Sequence, residues 1–225
     1  MKQGKFAIAI SLLALGASAQ ADVILGAFNF NSLQFGNTLT ESDGGTFSST
    51  NWLNTSNANP GNPGYLTGAN FNTGIANIRG TPLYTIGYNT AITNGAGADL
   101  GIVVARYSAD TVRMNVSSDG GASYFGFQSY GPGGAVDSGV GKNYYYGGGG
   151  PFAAELYVMS VDLSDFGVAL GATVNSIQFG GSPELDIVRI AGFGDPAGRV
   201  PEPASLALVG LALAGLACTR RAGKA

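Results

Sequence analysis

The chain has 225 residues, contains no histidine and only one cysteine, and carries fourteen acidic against eleven basic residues. The absence of histidine excludes Ser-His-Asp and Cys-His catalysis, proton transfer by histidine, and His-ligated zinc or iron. A single cysteine, Cys218, excludes an intramolecular disulfide. We interpret it as a small apolar residue of the C-terminal apolar segment in which it lies, with a reactive or lipidated thiol as the alternative.

The first 21 residues have the three parts of a cleavable export signal. Lys2 and Lys5 form a positive region, residues 6–15 form an apolar region, and Ala19 and Ala21 fit the small-x-small pattern before a cleavage site. The apolar region is too short for a retained transmembrane helix. We therefore expect a signal-peptide helix that signal peptidase removes after Ala21.

Residues 22–199 form the predicted extracellular body, which has the size of one domain. Between residues 22 and 202 the chain has fourteen acidic and six basic residues, so this part is more acidic than the whole. Phosphate binding needs clustered lysine and arginine, and Lys142 is the only lysine of the body. We therefore expect no nucleic-acid partner.

The body is rich in Gly, Asn, Ser and Thr, and turn residues separate its short apolar runs. No amphipathic helical pattern of about 10–15 residues lies between these runs, which favours an all-β fold, an antiparallel β-sandwich or jelly roll. Strands are predicted at residues 23–30, 101–107, 111–116, 124–128, 156–163, 174–179 and 185–191.

Two local patterns give more detailed predictions. Residues 101–107 and 111–116 flank a short turn and are predicted to form a hairpin. Asp162 to Gly167 offers Asp and Ser as caps and a closing glycine, which predicts a short 3₁₀ or α turn between strands.

Two segments are predicted to be mostly loop. In residues 43–80, Trp52 is interpreted as capping the core, with sugar stacking as the alternative. Residues 131–150 contain nine glycines around Tyr144-Tyr145-Tyr146, and we predict a flexible loop there. The alternative is that these tyrosines stack on a polysaccharide, although adjacent residues of an extended chain point to opposite faces.

Acidic pairs are the remaining candidates for catalysis or metal binding. Glycoside hydrolysis could use Glu41 with Asp43, Asp162 with Asp165, or Glu184 with Asp186, but such pairs usually serve as solvated turn and cap residues. Asp43 and Asp119 precede Gly-Gly pairs and are weak calcium candidates, while Asp-Gly is also a common turn pair. We expect no catalytic residue, no cofactor and no metal site.

The C-terminal segment, residues 200–225, has three parts in order. Pro201-Glu202-Pro203 breaks the preceding structure, Ala204 to Thr219 is uncharged and mostly apolar, and Arg220, Arg221 and Lys224 follow. Sixteen residues of helix span roughly 24 Å, somewhat short of the ~30 Å hydrocarbon core. The basic residues place their end in the cytoplasm by the positive-inside rule.

This order of parts resembles the PEP-CTERM sorting signal of exopolysaccharide-producing Gram-negative bacteria. The resemblance implies an exosortase as processing enzyme, a cut near Pro201-Glu202-Pro203, and a short transmembrane helix that anchors the protein before processing. Residues 161–193 also loosely resemble the closing half of β-sandwich bodies in exosortase-dependent surface proteins.

The sequence thus predicts an exported, exosortase-sorted protein of the cell surface or exopolysaccharide matrix, with a structural or adhesive role. The alternatives are a carbohydrate- or calcium-dependent binding module and a secreted glycosidase. Exopolysaccharide is a candidate partner of the body.

Overall fold

The computed structural model describes residues 22–41, 52–54, 66–71, 74–79, 83–105, 111–145, 151–182 and 184–194. Within these ranges thirteen strands form two sheets, and every strand pairing is antiparallel. The two sheets face each other across a shared apolar core. The fold is therefore the predicted antiparallel β-sandwich. The predicted signal-peptide helix and C-terminal helix lie outside the described residues.

The larger sheet has eight strands in the order β1-β2-β13-β5-β4-β10-β11-β7. These strands are β1 (Val23–Leu25), β2 (Phe28–Phe35), β4 (Trp52–Asn54), β5 (Gly74–Arg79), β7 (Leu100–Ala105), β10 (Ala135–Tyr145), β11 (Pro151–Val161) and β13 (Glu184–Phe193). Strand β13 also pairs with β7, so the strands from β13 through β5, β4, β10 and β11 to β7 form a ring.

The smaller sheet has five strands in the order β3-β6-β12-β8-β9. These are β3 (Thr38–Glu41), β6 (Tyr84–Thr93), β8 (Thr111–Ser117), β9 (Gln128–Tyr130) and β12 (Thr173–Ser182). Short 3₁₀ helices at Pro132–Gly134 and Leu163–Phe166 precede β10 and follow β11.

The main core lies between the two sheets. The small sheet contributes the inward side chains of β6, β8 and β12, including Ile86, Met114 and Phe179, and the large sheet contributes Ile102 and Ile190. These five side chains have no exposed surface. Burial of this apolar surface is the main stabilising contribution to such a sandwich.

A second core lies on the other face of the larger sheet. Val103 and Val188 project into it from β7 and β13, and Phe30, Phe35 and Phe71 cover it. The rings of Phe30 and Phe71 lie 5.4 Å apart, and those of Phe35 and Phe71 lie 5.7 Å apart. Strand β7 is therefore buried along its whole length and on both faces.

The predicted single strand at residues 23–30 is wrong. The structure has two strands, β1 and β2, joined by a turn at Gly26 and Ala27. Gly26 has φ +57°, a conformation that a glycine adopts without steric cost. The backbone of Ser138 lies so close to Gly26 that an added Cβ would stand 1.6 Å from its carbonyl oxygen.

The predicted hairpin of residues 101–107 and 111–116 is also wrong. Both segments are strands, but β7 belongs to the larger sheet and β8 to the smaller one. Strand β7 is apolar on both faces, which the main core and the second core cover, and its two edges pair with β11 and β13. Strand β8 instead pairs with β12 and β9.

The loop predicted for residues 131–150 contains the eleven-residue strand β10. Its backbone pairs with β11 from Ala135↔Met159 to Tyr145↔Pro151, with an irregularity between Asp137 and Val140. The hydrogen bonds of this ladder offset the conformational entropy that the glycines lose. Residues 146–150, including Tyr146, lie outside the described residues.

The remaining strand predictions are close to the structure. Strand β11 ends at Val161 rather than at residue 163, β12 and β13 extend the predicted 174–179 and 185–191, and the strand expected at 124–128 is instead β9 at Gln128–Tyr130. The predicted turn is confirmed as the 3₁₀ helix Leu163–Phe166. Asp162 caps its first turn and accepts a hydrogen bond from the Ser164 N–H, and Gly167 closes it at φ +80°.

Candidate functional site

Many residues singled out in the sequence lie outside the part of the chain that the structure describes. These are the cleavage-site residues Ala19 and Ala21, the weak calcium candidate Asp43, Tyr146, the Pro201-Glu202-Pro203 element, the predicted span Ala204 to Thr219, and Arg220, Arg221 and Lys224. Among the described residues, no helix is both long and apolar enough to cross a membrane.

The acidic pair Asp162 and Asp165 lies on the 3₁₀ helix after β11. Asp162 Oδ1 accepts the Ser164 N–H at 2.8 Å, and Asp165 Oδ2 lies 3.5 Å from the hydroxyl of Tyr130. Partial burial, followed by the charge of Asp165, raises the pKa of Tyr130 well above its ordinary value. Asp162 therefore has a contact within its own turn, and Asp165 has one with Tyr130 of β9.

The other two acidic pairs differ in position. Glu41 ends β3 opposite Tyr84, and its predicted partner Asp43 is outside the described residues. Glu184 and Asp186 lie on β13, opposite Arg79 and Asn77 of β5. In the described ranges no three His, Cys, Asp or Glu side chains form a group that could hold a metal ion.

The carboxylate of Asp119 organises the loop after β8. Its Oδ1 accepts hydrogen bonds from the Ser117 hydroxyl at 2.7 Å and the Ser123 N–H at 2.9 Å, and its Oδ2 accepts from the Ser123 hydroxyl at 2.5 Å. These bonds, that of the Ser123 side chain first, hold the pKa of Asp119 well below its ordinary value. The carboxylate thus serves as the acceptor that folds residues 117–123.

A buried arginine, Arg189 on β13, holds the segment 66–71. Its Nε donates to the Gly68 carbonyl at 3.1 Å, and its guanidinium also donates to the carbonyls of Val188 and Asn70. The side chain has no exposed surface. Phe71 of this segment covers the second core. By holding the segment in place, Arg189 therefore also supports the packing of that core.

A polar groove of about 350 Å³ lies on the smaller sheet. Strands β3, β6 and β12 and the loop after β8 supply its lining, which consists of Asn37, Thr38, Thr40, Thr85, Gly87, Tyr88, Asn89, Gly120, Asn175 and Ser176. None of these ten residues carries a charge, and most have an amide or hydroxyl side chain. We call this feature the polar groove.

The register of the strands explains why these residues come together. Thr38 pairs with Gly87, which pairs with Ser176, and in the next row Thr40 pairs with Thr85. The neighbours of these residues along the strands, such as Ile86 and Ile177, point into the main core. Because strand side chains alternate between faces, the polar groove occupies the face opposite the core.

Ser176 is the unusual member of the polar groove. It is only 2% exposed although it lies on the outer face, because the loop after β8 covers it: an added Cβ at Gly121 would stand 3.6 Å from its Oγ. This Oγ has no hydrogen-bond partner among the described residues. Buried hydroxyls in native proteins are nearly always hydrogen-bonded, so this one calls for an explanation.

The sequence predictions did not include the polar groove. Threonine, serine and asparagine are abundant throughout the chain, so Thr38, Thr85 and Ser176 do not differ from residues of ordinary turns and surfaces. The one available signal is the alternation of polar and apolar residues along β3 and β6. This pattern indicates that one face of the sheet is solvated, but it does not indicate that this face is concave.

The fold and the groove define a class: an antiparallel β-sandwich with a polar concave surface on its smaller sheet. Comparison with known proteins adds the C-terminal motif. Residues 199–221 match the family model of the PEP-CTERM protein-sorting motif. The chain therefore carries this motif, as the sequence predicted. The motif implies an exported protein that exosortase processes and that is sorted to the cell envelope or surface.

Two further comparisons give little more. No curated protein sequence matches the chain. Among solved structures, one match is the "CBM32 of AlyQ in complex with 4,5-unsaturated mannuronic acid", with 13% identity and a TM-score of 0.31 over 72% of this chain and 98% of that chain. Likeness at this level says nothing about the ligand or function of the present chain.

Proposed function

We propose that this protein is a structural or adhesive component of the cell surface or exopolysaccharide matrix. The observation that supports the proposal is the sorting motif at residues 199–221, which follows a β-sandwich domain. In a surface protein of this kind the sandwich is the part that stays outside the cell. Its two apolar cores and antiparallel sheets give a stable unit without any disulfide, since the chain has a single cysteine.

The proposed route has three steps. Signal peptidase cuts after Ala21, and residues 204–219 then hold the exported chain in the inner membrane of a Gram-negative cell. Exosortase cuts near Pro201-Glu202-Pro203 and releases or transfers the body. In these reactions the residues of this chain are substrate, and the catalytic groups belong to the processing enzymes.

We also infer that the body is not an enzyme. Histidine is absent from the chain, so the most common general acid–base residue cannot contribute. Of the carboxylates described above, Asp119 and Asp162 accept hydrogen bonds within their own turns, and Asp165 contacts the Tyr130 hydroxyl of β9. A glycosidase assay on neutral polysaccharides, with no sugar released above the background, is the expected result.

Mass spectrometry of the mature protein tests the sorting proposal. In a host that has exosortase we expect a chain without the residues that follow the Pro-Glu-Pro element, and in the same host without exosortase we expect a chain that ends at Ala225. Replacement of both Pro201 and Pro203 by alanine should give the uncut chain in both hosts. A matched control, Gly223→Ala, lies beyond the matched motif and should be cut normally.

An uncut wild-type chain in the exosortase-containing host would contradict the processing route. Cell fractionation in the same experiment tests the destination, because the processed body should be found in the surface or matrix fraction. Recovery of the processed body only inside the inner membrane would contradict the surface role.

A further inference from the structure

The chemistry of the polar groove restricts what it can bind. Apart from Gly87, Gly120 and Tyr88, whose hydroxyl donates to the Ile190 carbonyl in the main core, its lining residues have amide or hydroxyl side chains, which both donate and accept hydrogen bonds. A charged ligand would require an opposite charge in the lining, and none of the ten lining residues supplies one. An apolar ligand would leave these polar groups without partners, at a cost in free energy. The ligand that matches is neutral and carries many hydroxyls.

Ser176 adds an observation that points to a ligand. Its Oγ is buried at the groove and makes no hydrogen bond to any described residue. A buried hydroxyl without a partner is unfavourable, and a ligand hydroxyl placed in the groove would provide that partner. An apolar ligand could not form a hydrogen bond with this atom. The Ser176 hydroxyl therefore gains its missing hydrogen bond when a polar group of a ligand lies on the floor of the groove.

Two positions without side chains shape the floor and one wall. Gly87 lies between Thr38 and Ser176 in the cross-strand row, and an added Cβ there would stand 2.4 Å from Thr38 Oγ1. The absence of a side chain at this position leaves the hydroxyl of Thr38 over the floor. Gly120 lines the loop side, where its N–H donates to Asn175 Oδ1 at 2.9 Å and fixes that amide at the rim.

An aromatic residue stands next to the groove. The hydroxyl of Tyr124 lies 3.5 Å from Thr85 Oγ1, and the Tyr124 side chain is partly exposed. Sugar rings present apolar C–H faces as well as hydroxyls, so an aromatic ring beside a polar floor suits them. The volume of about 350 Å³ is at the lower end of the ~300–1,000 Å³ of small-molecule sites. The groove therefore suits a short segment of a glycan.

We propose that the polar groove is a binding site for a neutral glycan, with the hydroxyls of Ser176, Thr38 and Thr85 as its floor and the Asn175 amide at its rim. This site is independent of the sorting route, because it belongs to the folded sandwich and not to the C-terminal segment. It would give the surface protein a direct contact with uncharged polysaccharide.

Calorimetric titration of the full chain tests the site. The protein is kept in a zwitterionic detergent without sugar head groups, and the probes are pentasaccharides of glucose, of mannose and of galactose, with a galacturonic acid pentamer as the charged comparison. We expect at least one neutral pentasaccharide to bind at millimolar or lower concentration. We expect the charged pentamer not to bind, because the lining supplies no cation.

Three variants locate the binding. Ser176→Ala removes the unpartnered hydroxyl, so it should leave Tm unchanged or raised while it weakens binding about tenfold. Gly87→Ala places a methyl group against the Thr38 hydroxyl, displaces that hydroxyl from the floor and should weaken binding. Ser129→Ala, on exposed β9 of the same sheet, is the matched control and should bind as the wild type does.

Each possible result of these titrations either supports the proposed site or overturns it. Binding of a neutral pentasaccharide that Ser176→Ala weakens and Ser129→Ala preserves supports the site. Absence of binding to all three neutral pentasaccharides, binding to the charged pentamer alone, or equal affinities for Ser176→Ala and Ser129→Ala would overturn the proposal. A lowered Tm for Ser176→Ala would show that its hydroxyl has a structural partner, and this result too counts against the site.

Discussion

At the scale of single residues, Arg189 shows how a charge can be accommodated in an apolar sandwich. Arginine is rarely buried without partners, and this side chain donates to backbone carbonyls of residues 68, 70 and 188. The carbonyls of Gly68 and Asn70 belong to an irregular segment that has no ladder of its own. Arg189 therefore donates hydrogen bonds to the carbonyls of this segment, as the N–H groups of a neighbouring strand would donate to the carbonyls of a sheet edge.

We predict that Arg189→Met lowers the free energy of unfolding by about 3 kcal/mol, because the carbonyls of Gly68, Asn70 and Val188 lose their charged donor. Urea unfolding followed by circular dichroism measures this change. The control is Arg113→Met: Arg113 is exposed on β8, with its guanidinium 4.0 Å from the centre of the Phe127 ring. That substitution should cost about 1 kcal/mol or less. Equal losses in the two variants would contradict the role given to Arg189.

Asp119 gives a pH-dependent prediction. Its pKa is lowered in the folded state, chiefly by the Ser123 hydroxyl, so its contribution to stability is present above the unfolded value of about 3.9. That contribution is lost as the pH falls through the lower folded pKa. We therefore expect Asp119→Asn to lower Tm near neutral pH, and the difference from wild type to shrink below about pH 4.

Thermal unfolding over a series of pH values measures this effect. Glu155→Gln, which removes an exposed carboxylate from β11, controls for the change in net charge. A Tm difference between wild type and Asp119→Asn that stays constant from neutral to strongly acidic pH would show that the hydrogen bonds to Asp119 do not depend on its ionisation.

At the scale of elements, the turn between β1 and β2 depends on close contact with β10. Gly26→Ala would place a methyl group against the Ser138 carbonyl at a positive φ, and we predict a loss of about 2–4 kcal/mol. The control is Gly171→Ala, which has φ +80° but open space around it, so only about 1 kcal/mol of backbone strain is expected. Equal losses in denaturant unfolding would mean that contact with β10 adds nothing.

The strands and turns also differ in how well the sequence predicts them. The runs in β11, β12 and β13 were located because they are apolar and bounded by turn residues, and the capped turn 162–167 was found because Asp, Ser and Gly occur in cap order. Partners were not predictable, because β7 and β8 are close in sequence and yet belong to different sheets. Composition also misled at β10, where glycine-rich sequence is held by a ladder with β11.

The candidate site illustrates a different limit. Residues 201–203 lie within the matched sorting motif, which is recognisable in the sequence because it is one continuous segment of the chain. The polar groove joins Thr38, Thr85 and Ser176, which are far apart in sequence and common in type. Two properties of the groove exist only in three dimensions: the convergence of these residues on one concave surface and the missing partner of Ser176 Oγ, a state that Asn29 Oδ1 and Ser32 Oγ share elsewhere among the described residues.

At the scale of the molecule, the two cores share β7 and β13. Ile102 of β7 faces the main core and its neighbour Val103 faces the second. We predict that Ile102→Ala and Val103→Ala, at costs of about 2–5 and 2–3 kcal/mol, lower the midpoint of one common unfolding transition. Far-ultraviolet circular dichroism and hydrogen exchange should report the same midpoint in each variant. Two separated transitions would show that the cores unfold independently.

The position of the last two strands has a consequence for how the chain acquires its structure. Strand β12 is central in the smaller sheet, and β13 lies between β2 or β5 on one side and β7 on the other in the larger sheet. Strand β2 pairs with the adjacent β1, but its other partner, β13, lies about 160 residues later in the chain, and such distant pairings form slowly. Neither sheet can be completed before β12 and β13 have been synthesised. We therefore expect a chain that still lacks these two strands to stay incompletely folded and so to remain competent for export.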